Sequence, residues 1–213
     1  MAAAAGPALA AVLWADVPTR ADEGARLRWL NSACLVGLWS VRRSRPDMTT
    51  RVEEALARYR LVPTDTTLET LGASAEVCEG MFRAVVAADG GDDDFPLRDA
   101  TLDSLVDSHL RQDLWWTNEA MLISAGLKAD MGDLSAALAT VRRRSHGWPE
   151  GSAHSLLPAS LRLEGRLAAE VGDTAGAIRA YQHYLALRYD PDPQLQPEAD
   201  EVRAELARLL GEP

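Results

Sequence analysis

Arg162 and Arg166 are the residues whose type and spacing best suit recognition chemistry in this chain of 213 residues. Set four apart, they share one face of a helix a turn apart, where two guanidinium forks can grip a carboxylate bidentately. The plainer reading is two solvated arginines, with Arg166 pairing to Glu170 one turn on. Trp115 and Trp116 are a second candidate pair. Adjacent helical residues point about 100° apart, so the two do not face one core. Packing between hairpins is the plainer reading, and contact with a partner the sharper one. Catalytic patterns are missing: there is no Gly-rich phosphate loop, no G-x-S-x-G and no H-E-x-x-H. His109, His146, His154 and His183 lack metal-ligand spacing. Asp92, Asp93 and Asp94 invite comparison with a calcium loop. Such a loop starting at Asp92 needs Gly sixth and Glu twelfth, and the chain has Leu97 and Asp103 there. The expectation is a non-enzymatic chain with no metal and no cofactor.

The elements that must position these residues repeat each other. MLISAGLKADMGDLSAAL (121–138) and LRLEGRLAAEVGDTAGAI (161–178) align at an offset of 40. Leu127 meets Leu167, Gly132 meets Gly172, Asp133 meets Asp173 and Ala137 meets Ala177. Repetition at a fixed period marks a repeat architecture. Each unit predicts a helical hairpin. Its Gly stops the first helix in the left-handed conformation, and the following Asp caps the second. Ala137 and Ala177 sit early in the second helices, where a small residue permits close approach. On this reading overpacking Ala177 is costly, while Ala180 is exposed and tolerant.

These residues resemble the tetratricopeptide repeat (TPR). The family's small residue, turn Gly, second small residue and aromatic correspond to Gly165, Gly172, Ala177 and Tyr181 in the second unit. In the first they correspond to Ala125, Gly132, Ala137 and Val141, closed by Pro149. Val141 departs from the aromatic, and the period is 40 against the family's 34, with GWPEGSAHSLLP (147–158) lengthening the linker. The resemblance implies an all-α fold of stacked helical hairpins, an α-solenoid, whose first helices line a groove for a protein or peptide partner. It implies that Arg162 and Arg166 face that groove. Leu122 and Gly126 hold the matching places of the first unit, so the family's full carboxylate clamp is missing, which points to an apolar-plus-acidic peptide. The stretch 163–210 is also similar in composition to the C-terminal tails of multidomain bacterial signalling proteins. The alternative functions are a structural subunit of a larger assembly or a regulatory, ligand-sensing domain of such a signalling protein. The partner could also be another domain of the same or a larger chain.

The expected organisation is a flexible or short helical start (1–18), degenerate helical hairpins (19–111), two TPR-like repeats (112–190) and a capping helix (196–211), nine helices in all. In the cap, Pro197 suits the first helical turn and Gly211 the stop. Ala199, Val202, Leu206 and Leu209 form a narrow apolar stripe backed by charge, as the open end of a stack requires. The helix of 96–110 carries Leu102, Leu105, Val106 and Leu110. A net charge of −10 disfavours nucleic acid and anionic membrane surfaces. The apolar start is too short to span a bilayer. Lys128 is the only lysine, which with heavy Ala use fits a GC-rich genome. Cys34 and Cys78 sit in apolar helical contexts and are expected as buried free thiols in a reducing cytoplasm.

Overall fold

The computed structural model describes residues 77–85, 95–109, 115–144 and 157–211, with Trp29, Thr50, Glu54 and Ala57 besides. Residues 77–85 are helical, and are followed by α1 (Phe95–His109), α2 (Trp115–Asp130), α3 (Leu134–Arg142), α4 (Leu157–Glu170), α5 (Thr174–Leu187) and α6 (Gln196–Leu210). No strand occurs among the described residues. Residues 1–18, most of 19–76, Asp92 to Asp94 and 147–156 lie outside them, and so does the count of nine helices. Among the described residues no helix is long and apolar enough to cross a membrane. The chain divides into two compact units, Met1–Ala120 and Met121–Pro213.

In the first unit, residues 77–85 bury Val77, Cys78, Met81, Phe82 and Val85, and α1 buries Leu102 and Val106. A Cβ on Gly80 would meet Leu102 and Leu105 side chains, so these two elements pack closely. Cys78 is disulfide-bonded. The expected free thiol is therefore corrected, and the thiol argument for a reducing compartment falls with it. The sequence's other cysteine, Cys34, lies outside the described residues.

In the second unit the two Gly-Asp turns are the same bond for bond. Gly132 and Gly172 take φ of 87° and 85°. Gly132 N–H donates to Ala129 C=O at 2.9 Å and Asp133 N–H to Lys128 C=O at 3.0 Å; Gly172 donates to Ala169 at 3.2 Å and Asp173 to Ala168 at 2.8 Å. This double closure satisfies the last carbonyls of α2 and α4. The carboxylates of Asp133 and Asp173 then accept from Ala136 N–H at 3.0 Å and Gly176 N–H at 2.9 Å, opening α3 and α5.

Helix α4 packs against α3 on one side and α5 on the other, and α6 packs on α5. Ala125, Ala137, Leu138, Val141, Leu167, Ala168 and Ala177 form one core, and Leu161, Tyr181, Tyr184, Ala199 and Val202 a second. Ala180 is buried at 4% exposure, not exposed as its position suggested; α5 is covered on more than one side, which a single hairpin's periodicity does not reveal. The Tyr181 ring lies where a Cβ on Gly165 would be. At the matching places of the first hairpin, Ala125 and Val141 are both buried in one core. A larger small residue thus accompanies a smaller large one.

Ion pairs lock the two hairpins. Glu164 of α4, only 9% exposed, accepts from Arg142 Nε at 3.0 Å and pairs with Arg144 at 2.6 Å. Arg142 also donates to Asp173 at 2.6 Å. That guanidinium, helped by Gly176 N–H, holds the Asp173 carboxyl below its ordinary range. A Cβ on Gly176 would collide with Asp173 and Arg142, which explains a glycine where the first hairpin has Ala136. Buried Lys128 donates to Thr140 Oγ1 at 3.1 Å, joining α2 to α3.

Helix α6 has a proline in its first turn and ends at Gly211, φ 73°. Ala199 and Val202 are buried, and Leu206 and Leu209 are partly so. It also aligns with α4 at an offset of 39: Leu163 with Val202, Leu167 with Leu206, Ala168 with Ala207, Gly172 with Gly211. It is thus built like the first helix of a hairpin. Where α4 turns Leu161, Glu164, Gly165 and Ala168 inward, α6 has Asp200, Arg203, Ala204 and Ala207, of which the first three are exposed. Charge at these places suits a helix face left to solvent.

Candidate functional site

Helices α4 and α6 flank a groove of about 1070 Å³ with α5 beneath it. The groove follows from the alternation of hairpin helices: α5 lies between α4 and α6 and separates them. Arg162 and Arg166 line it from α4, as their shared face predicts, and Glu198, Glu201 and Glu205 line it from α6 at matching helical spacing. Leu163, Tyr181 and Val202 supply apolar lining. Tyr181 and Val202 are nearly fully buried and so lie at its base.

The charges are arranged by wall. Facing the groove, α4 has two arginines against Glu170, and α6 has three glutamates against Arg208. One wall is net basic and the other net acidic, and on each the sign reverses only at the C-terminal end. Arg162 spans the gap: its Nη1 donates to Glu198 at 2.9 Å and its Nη2 to Glu201 at 2.7 Å. An incoming carboxylate must compete with these two glutamates for Arg162. Arg166 is freer, 56% exposed with Glu170 at 4.0 Å. Glu198 also accepts from the Tyr184 hydroxyl at 2.6 Å, so one carboxylate ties α4, α5 and α6 together. Burial and that carboxylate push the Tyr184 phenol up to about 12. Burial, then Glu205, raises Tyr181, opposed by Arg162, Arg166 and Arg208. Arg188 lines the groove as well, and its Nε is buried without a hydrogen-bond partner.

Of the residues singled out from sequence, Arg162, Arg166 and Tyr181 come together here. Ala125, Ala137, Gly165 and Ala177 are packing residues of the cores, and Gly132 and Gly172 form the turns. Trp115 and Trp116 open α2, and their side chains lie outside those described. The acidic wall was missed. Glu198, Glu201 and Glu205 at i, i+3 and i+7 carried the signal, but a charged face on a terminal helix reads first as solvated. Among the described residues no three His, Cys, Asp or Glu side chains gather to hold a metal ion. No protein-family model, no curated protein and no solved structure matches this chain.

Proposed function

We propose that this protein is a non-catalytic interaction module of the tetratricopeptide type, and that the groove between α4 and α6 receives a peptide or a segment of a partner protein. The observation that carries this reading is the groove itself, apolar at its base and charged along both rims. Binding surfaces combine a desolvated apolar centre with a polar rim that sets register. Support for the repeat type comes from the two identical Gly-Asp turns and the Gly165–Tyr181 contact.

The test is a groove-filling variant. Ala204 is exposed and lines the groove, so Ala204→Trp blocks it without touching the core. Wild type and variant are used in parallel to capture partners from the native cell. Proteins retained by wild type and lost by the variant support the groove. An identical set from both removes the groove as the binding site.

A further inference from the structure

We propose that the groove's occupant is an amphipathic α-helix whose two flanks carry opposite charge. This rests on the groove being the binding site and goes beyond it by naming the conformation and chemistry of the partner.

The conformation follows from what lines the groove. No Asn, Gln, Ser, Thr or His side chain is among its lining residues, which apart from the Tyr181 hydroxyl are apolar or fully charged. An extended peptide brings a row of backbone N–H and C=O groups that need partners once out of water. The arginines and glutamates of the rims recur only every three or four residues along each helix, so they do not form a continuous ladder that would pair a strand residue by residue. A helix satisfies its own backbone and presents only side chains. The groove's base, Leu163, Tyr181 and Val202, matches the apolar stripe of such a helix.

The charge pattern follows from the walls. The basic wall of α4 selects an acidic flank, and the acidic wall of α6 a basic one. Charges recur on both walls at three or four residues, the rhythm at which a helix presents one flank. Arg162 is an internal sample of the same attraction, reaching from the basic wall to Glu198 and Glu201 on the acidic one. Glu170 and Arg208 reverse the sign on both walls at one end. A helix turned end for end exchanges its flanks, so the opposite net charge of the two walls discriminates the two orientations.

The experiment uses the full chain and three labelled synthetic peptides of equal composition. One is a helix with a Leu stripe, Glu on one flank and Lys on the other. The second is a helix with Glu and Lys interleaved on both flanks. The third has the same residues ordered to break helical periodicity. Fluorescence anisotropy should show the segregated helix binding on the order of tenfold more tightly than the interleaved one, since several rim pairs together are worth that much. The non-helical peptide should bind weakest. Raising the salt should shrink the preference, and Arg166→Glu should abolish it. Equal binding of all three peptides, blocked by Ala204→Trp, overturns the inference and leaves the groove reading standing. Binding that Ala204→Trp does not weaken overturns the groove reading as well. Failure of the segregated helix to bind overturns the inference.

Discussion

At the scale of single residues, the second hairpin turns on one contact. Gly165 has no Cβ, and the Tyr181 ring occupies the space one would take. Gly165→Ala should cost roughly 1–3 kcal/mol by overpacking. The first hairpin suggests its own remedy, since it buries Ala125 and Val141 at these places. Adding Tyr181→Val to Gly165→Ala should therefore cost less than the two single changes summed, measured by urea denaturation as a double-mutant cycle. Strict additivity would mean that the residues do not share the space. Tyr184 makes a second prediction. Its phenol is raised from an ordinary value of 10.0 to about 12 in the fold. The folded state thus holds the proton more tightly, so the associated stability is complete below pH 10 and is lost as pH rises to about 12. The shift corresponds to roughly 2–3 kcal/mol. Tyr184→Phe should flatten alkaline unfolding over this window, and an unchanged profile would assign the loss elsewhere. Tyr181 is also raised and acts in the same sense.

At the scale of elements, α6 does two things at once. Its Ala199, Val202, Leu206 and Leu209 stripe covers α5, and its glutamates form one wall of the groove. Removing residues 196–213 should uncover Leu161, Tyr181 and Tyr184 and leave the Tyr184 hydroxyl without Glu198. An apolar face exposed in this way drives self-association. Light scattering of the truncated protein should show oligomers or aggregates. A monodisperse, unchanged monomer would deny α6 its covering role. Away from the groove, α6 exposes the charged side chains of Asp200 and Arg203.

At the scale of the whole molecule, the chain joins two units of different chemistry. Both cysteines of the sequence fall in 1–120 and none in 121–213. Cys78 is fully buried and disulfide-bonded, and a native disulfide typically contributes about 2–5 kcal/mol. Reductant should therefore destabilise the first unit selectively. The sequence permits this to be read directly, because five of six tryptophans lie in 1–120 and three of four tyrosines in 121–213. Thermal melts should show the tryptophan transition moving down with reductant and the tyrosine transition unmoved. A tryptophan transition indifferent to reductant would show that the bond contributes nothing to the first unit.

The sequence by itself determined the helical class, the two turns and the last helix. These rest on local rules: a glycine that can take positive φ, a carboxylate one residue on that caps, a proline in the first turn, and a spacing of three and four. It determined equally that Arg162 and Arg166 share a face, since helix geometry alone sets that. Tertiary structure decided what meets that face. Glu198 and Glu201 lie 36 and 39 residues from Arg162, and no local pattern states which neighbour will stand across a groove. It decided the burial of Ala180, because α5 is covered by elements on more than one side. It decided the state of Cys78, because a disulfide depends on distance in space and not on the apolar pattern around each cysteine. Spacing along a chain fixes which residues share a surface; only packing fixes what that surface faces.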